Sequence, residues 1–202
     1  MSNAAAFQRT RPTVLVDLIS DSLVKDVGLV VGAAGLVGLL AQVSVHLSFT
    51  PVPITGQTLA VLVCGTALGL RRAAAALLLY GVAGLAGVPW FAGHASGYVG
   101  ASFGYIVGFV FAGSLCGFLA ERRADRSVWR SVPAMLAGEI VMYALGVTWL
   151  GFDLHVGAGR AVALGLTPFL AGDALKAALA AVALPTAWKL TAAWKLTGTR
   201  RS

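Results

Sequence analysis

Charge is scarce in this 202-residue chain. Asp, Glu, Lys and Arg make up 11% of it, against about 25% in an average soluble domain. Acidic residues are scarcer still, eight against fifteen basic ones, for a net charge of +7. So thin a charged complement argues against a soluble globular domain. Cysteine occurs only twice, as Cys64 and Cys116. Both fall in apolar stretches and read as small buried hydrophobes, with no disulfide framework indicated. The three histidines, His46, His94 and His155, are too scattered in sequence to pair on a metal, so no metal site is expected. The glycine-rich loop ending in lysine that cradles nucleotide phosphates is also missing. The chain is therefore not expected to hydrolyse ATP.

What it has instead is apolar length. Hydrophobic residues are 58% of the chain and the mean hydropathy is +0.84. A helix needs about 20 mostly apolar residues to cross a bilayer. Six segments come close, at 27–49, 57–70, 72–91, 102–120, 131–152 and 165–188. The second is short. The pattern predicts an all-α integral membrane protein with six transmembrane helices. Its organisation is an N-terminal tail over 1–26, a membrane domain over 27–190 and a C-terminal tail over 191–202. The first 26 residues carry charge of both signs and read as a tail with a short amphipathic helix, not as a cleaved signal.

The cations orient these spans. With the N-terminus inside, the inner segments hold Arg9, Arg11 and Lys25, then Arg71 and Arg72, then Arg122, Arg123, Arg126 and Arg130, and last Lys189, Lys195, Arg200 and Arg201. That is thirteen of the fifteen basic residues. The outer loops hold Arg160, and Lys176 lies within a span. Such asymmetry predicts that both termini are cytoplasmic. Because the positive charge follows membrane topology, nucleic acid is excluded as a partner.

Three outer loops result, at about 48–56, 89–101 and 153–166. Pro51–Leu59 reads PVPITGQTL; its two prolines make a stiff, non-helical lead-in. Thr55 is a candidate helix cap, with Thr58 three residues on, and Gln57 serves either the helix start or a polar ligand. Pro89–Gly104 reads PWFAGHASGYVGASFG, a glycine-rich loop able to fold closely on itself. Its Trp90, Phe91 and Tyr98 either stack over an apolar ring or form an interfacial aromatic belt.

The strongest single signal is Asp173 with Lys176, opposite charges three residues apart in the last span. At that spacing both side chains lie on one helix face. Intramembrane charge costs a few kcal/mol or more, so it faces a cavity or a partner. Thr167 and Pro168 read as N-cap and first residue of this helix, which places Asp173 about 8 Å along it at 1.5 Å per residue. The pair thus lies under the outer loops. Glu139, with Met142 and Tyr143, marks a second inward face, lining the same cavity or bonding a neighbouring helix. In the first span Gly28, Gly32, Gly35 and Gly38 make a smooth stripe for close helix packing, within this protein, in a homo-oligomer or against another protein.

These residues, in this order, resemble the BioY family of biotin-binding S components of energy-coupling factor (ECF) transporters. The likeness covers about 41–190. It rests on PVPITGQTL, on Leu68-Gly69-Leu70-Arg71-Arg72, on the run from Tyr80 through Gly84 to Gly93, and on Pro168–Lys176. It implies a six-helix fold in a prokaryotic inner membrane that captures biotin from outside, without a cofactor and without enzymatic activity. It implies that Asp173 and Lys176 contact the ligand's bicyclic head beneath a closing loop; Trp90, Phe91 and Tyr98 are then candidates for the apolar slot, and Gln57 and Gly93 for further substrate contacts. It also implies a membrane coupling protein and ATPase subunits as partners, for which the stripe of Gly28, Gly32, Gly35 and Gly38 is a candidate docking face toward the coupling protein. Gly100–Tyr105 reads GASFGY, where the family tends toward GPTGGY, so the lid is expected to differ in shape. Alternatives are an S component for another small vitamin, or an intramembrane enzyme built on Asp173, Lys176 and Glu139.

Overall fold

The computed structural model describes residues 13–19 and 22–198. Most of the proposed N-terminal tail and residues 199–202 lie outside them. Among the described residues, seven α-helices run in the order α1 (Leu23–Ala41), α2 (Gln57–Leu68), α3 (Leu70–Leu85), α4 (Phe103–Glu121), α5 (Val128–Asp153), α6 (Ala158–Gly165) and α7 (Leu170–Gly198). Four of them, α1, α4, α5 and α7, are long and apolar enough to cross a membrane alone. At 12 and 16 residues, α2 and α3 reach only about 18 and 24 Å, less than the roughly 30 Å of a hydrocarbon core. Gly69 alone joins them, at φ +80°, a backbone angle that glycine adopts without strain.

Apolar runs and helix bounds differ where the chain has another use for its backbone. The first helix stops at Ala41, eight residues before the apolar segment ends. There the Gln42 amide turns back to Gly38 O and across to Trp90 O and Phe91 O. The apolar residues that follow form a ribbon of β1 (Ser44–Val45) against β2 (Ile54–Thr55), antiparallel, with Ser44 opposite Thr55. This is a small β element in an otherwise helical chain. At its other end α1 starts early and takes in Lys25 and Asp26. Ser22 Oγ caps it, and Arg72 pairs Asp26 at 2.9 Å. The third apolar segment likewise overshoots, since α3 ends at Leu85.

Thr167 does not cap the last helix. Its N–H and hydroxyl both donate to Val162 O, at 3.1 and 3.3 Å, closing α6. The last helix, α7, begins at Leu170. Asp173 therefore sits in the first turn of α7, not more than a turn inside it. At its far end α7 continues to Gly198, through most of the stretch read from sequence as a tail.

The centre of the bundle is α4, packed on α2, α3 and α5. Small residues let the backbones approach: a Cβ on Gly65 would meet Gly113 O at 2.6 Å, and one on Gly108 would meet Met142 O at 2.9 Å. Close packing of this kind substitutes for the hydrophobic drive that lipid removes. Segment 13–19 is folded against this body. It forms a 3-10 turn over Leu15–Leu18, and Val14 and Val16 are buried beside Cys64, Leu68 and Ala120. Both cysteines are free and buried.

Candidate functional site

Two of the three segments read as outer loops, 48–56 and 89–101, wall a cavity of about 350 Å³ at one end of the bundle; the third touches them outside its lining, with Thr50 donating to Leu164 O and Tyr98 to Asp153 Oδ1. The cavity is within the usual size range for small-molecule pockets, about 300–1,000 Å³. Its walls come from the 46–58 segment, the 91–102 loop, α4, α5 and the start of α7. The short α2 explains the space: its first turn, at Gln57 and Thr58, forms part of the lining, and the chain before it is extended rather than helical.

Asp173 and Lys176 line this cavity together. They form an ion pair of 2.7 Å in which Asp173 is 3% exposed. The ammonium has three hydrogens, and each is matched: to Asp173 Oδ1 at 2.7 Å, to Thr58 Oγ1 at 2.9 Å and to the Thr55 carbonyl at 2.6 Å. Thr58 passes its own hydrogen to Asp173 Oδ1 at 3.0 Å. Tyr143 donates its hydroxyl to Oδ2. A buried ion pair is tolerable only when its remaining hydrogens and lone pairs find partners, and these do. The first turn of α7 adds a helix N-terminus, which favours the carboxylate there. An ionised carboxylate offers about four acceptor positions. Three are in use, which leaves one on Oδ2 for a ligand N–H.

Of the other residues expected at the site, Gln57, Phe91 and Tyr98 also line the cavity. Gln57 is buried and donates to Tyr80 Oη at 2.6 Å. Phe91 is buried edge-on against Tyr80, at 5.3 Å between ring centres. Tyr98 is exposed at the rim and donates to Asp153 Oδ1 at 2.7 Å. That hydrogen bond to the carboxylate holds the Tyr98 phenol above its usual pKa range. Trp90 and Gly93 are not part of the lining. The Trp90 indole donates to Tyr80 O at 3.0 Å, and its ring fills the notch left by Gly38, where an added Cβ would come within 3.1 Å. Gly93 forms the turn Ala92–His94 at φ +66°.

Glu139 lies on another surface. It lines a groove with Leu136, Ile140, Val162 and Leu170, and its Oε1 is buried with no hydrogen-bond partner among the described residues. The third group of an Asp–Lys–Glu catalytic set is therefore not part of the cavity lining. Met142 and Tyr143, on the same helix, do line it. Sequence reasoning left out Thr58 and Tyr143 as partners of the pair. The first has only its i, i+3 relation to Thr55 to recommend it, and the second lies 30 residues from the aspartate it serves. Of the glycine stripe, Gly28, Gly32 and Gly35 have open space where a Cβ would stand, and Gly38 does not.

Comparison with known proteins adds the following. A sequence model described as the BioY family matches residues 8–193. A biotin transporter BioY of Rhizobium etli is 35% identical over 155 residues, which is 72% of this chain and 81% of that protein. A biotin transporter BioY of Rhodobacter capsulatus is 36% identical over 163 residues, 70% and 85% of the two chains. A probable biotin transporter BioY of Pyrococcus horikoshii is 34% identical, over 78% and 93%. Among solved structures, the fold matches the S-component for biotin from an ECF-type ABC transporter with a TM-score of 0.76. That match has 24% identity and covers 84% of this chain and 95% of the other.

Proposed function

The chain belongs to the BioY family, and from that premise we propose that it is the substrate-capture subunit of a biotin uptake transporter, a binding protein and not an enzyme. The observation that carries this reading is the Asp173–Lys176 pair lining a cavity of ligand size walled by two of the outer loops. Biotin's ureido ring presents two N–H donors and one carbonyl acceptor. The open position on Asp173 Oδ2 suits one N–H. The carbonyl has no idle donor from Lys176, whose hydrogens are all engaged. Ligand binding therefore draws the ammonium off Thr55 O or Thr58. Phe91, Phe109 and Ile106 supply an apolar wall for the thiophane ring and the chain.

The protein is read as six spans of a prokaryotic inner membrane, with α2 and α3 as short spans and α6 as a surface turn of helix. Both termini are cytoplasmic, because the cavity end holds the loops poor in Lys and Arg and the opposite end holds the rich ones. The membrane domain covers 27–190, flanked by the tails. A coupling protein and ATPase subunits supply the energy, and the open face at Gly28, Gly32 and Gly35 is where the coupling protein docks. Gly35→Leu is expected to disrupt co-purification with those subunits and leave biotin binding intact; an intact complex would remove the docking assignment.

The test of the function is titration of the purified protein with biotin by calorimetry. Asp173→Ala is expected to weaken binding by about 1–3 kcal/mol, the cost of a buried partner left unpaired. Unchanged affinity in a folded variant would refute the role of Asp173. Failure of the wild type to bind would remove biotin as the ligand and direct a competition panel of other vitamins.

A further inference from the structure

The cavity has two polar ends of opposite character. At the floor every hydrogen of Lys176 is matched within the protein, and its charge is already paired with Asp173, the one carboxylate in the lining, so an anion brought there finds no free donor. At the rim stand His46, Ser96 and Ser102. None of the three side chains has a hydrogen bond or ion pair to another described residue. His46 follows β1 directly and lies across from the 92–94 turn, where a Cβ on Gly93 would come within 3.8 Å of His46 Cε1. Apart from Lys176, it is the one residue of the lining that can carry positive charge. In either neutral tautomer its ring still presents one N–H, and the protonated ring presents two. The nearby acid, Asp153, is engaged by Tyr98 and is absent from the lining.

We infer that His46, with the hydroxyls of Ser96 and Ser102, forms the subsite for the ligand's terminal carboxylate, and so selects a free acid over its neutral derivatives. The inference rests on the proposed binding of biotin and fixes its direction: ureido ring down on Asp173, valerate carboxylate up at the rim. A carboxylate held there accepts charge-assisted hydrogen bonds, which are stronger than neutral ones. No bonding partner inside the protein has to be displaced to make them, unlike at the floor.

The experiment compares biotin with biotin amide, which keeps the ring and chain and removes the charge, by calorimetry on wild type, His46→Ala and His46→Gln. His46→Ala is expected to weaken biotin about tenfold, near 1.4 kcal/mol, and to leave biotin amide within about twofold. His46→Gln keeps an N–H donor and is expected to retain most of the affinity; it also serves if the alanine variant folds poorly. The double change Ser96→Ala with Ser102→Ala is expected to act in the same direction and more weakly. Equal weakening of both compounds in His46→Ala, or no change in either, would overturn the subsite. So would a glutamine variant as weak as the alanine one. If wild type bound neither compound, the biotin reading itself would fall, and the subsite with it.

Discussion

Two buried aspartates make the most instructive pair in the molecule. Asp173, at the start of α7, is 3% exposed and takes a hydrogen from the Tyr143 hydroxyl. Asp125, in the turn between α4 and α5, is fully buried and takes a hydrogen from the Trp188 indole near the far end of the same α7. Each has a cation beside it, Lys176 at 2.7 Å in one case and Arg126 at 3.6 Å in the other. The difference is empty space. Asp173 lines a cavity, whereas Arg126 lies over the Trp188 ring, its Cζ 3.3 Å from the centre, beside a carboxylate that is 0% exposed. The same acid, aromatic donor and cation make a receptor where the backbone leaves a void, and a clamp where it does not. Burial pushes the Asp125 carboxyl above its usual pKa range, against the pull of Trp188 and Arg126.

The largest expected effect comes from breaking the first set at its centre. Lys176→Ala strands the buried Asp173 without its cation and is expected to cost about 3–5 kcal/mol of stability, along with biotin binding. Thermal unfolding in detergent would show it, and an unchanged transition would mean that water already reaches the pair. Next comes a matched pair of changes. Tyr143→Phe and Trp188→Phe each remove the aromatic donor to a buried aspartate, and each is expected to cost the empty protein about 1–3 kcal/mol. They part company when biotin is added. Measured against wild type with biotin, the Tyr143→Phe deficit shrinks, since a ligand N–H can take the vacated position, whereas the Trp188→Phe deficit stays as large as it is without ligand. Equal responses to ligand would erase the distinction between receptor and clamp.

The smallest effect belongs to the outer face of the basic end. Burial works against ionised Asp17, yet hydrogen bonds from Arg72, Thr13 and Val14 outweigh it and hold the carboxyl below its usual range. A depressed carboxyl stabilises the fold above its unfolded pKa, about 3.9, and the contribution is lost as pH falls through the folded value. Asp17→Asn is expected to remove about 0–1 kcal/mol, and the variant and wild type should converge as pH falls from about 4 through the folded value. Hydrogen exchange across residues 13–19 is the measurement, and a loss that persists at low pH would assign the effect to packing.

How much of this was legible beforehand varies with the physical signal. Hydropathy located six of the seven helices because lipid demands it, but α6 lies within 153–166, which was read as a loop; Asp173–Lys176 stood out because charge inside an apolar run is costly. Hydropathy could not place the end of α1, because the residues after Ala41 are apolar in a ribbon as they would be in a helix. It could not see that Thr167 closes α6, since a hydroxyl before proline suits a cap equally well. Asp125 was hidden for the opposite reason: among Arg122, Arg123 and Arg126 it reads as one more surface charge. The Thr58 and Tyr143 contacts join elements far apart in sequence. Only the fold brings them to the carboxylate.

The ion-paired floor of the cavity bears on the membrane as an electrical insulator. An empty binding protein spanning a bilayer is a potential leak for the ion gradients on which a cell runs. Here a sodium ion or hydronium arriving at the floor meets the Lys176 ammonium 2.7 Å from the carboxylate, so the position left on Asp173 Oδ2 suits a neutral N–H better than a cation. The empty protein is thus built to be silent, and vesicles containing it alone are expected to hold a potassium diffusion potential as long as protein-free vesicles do.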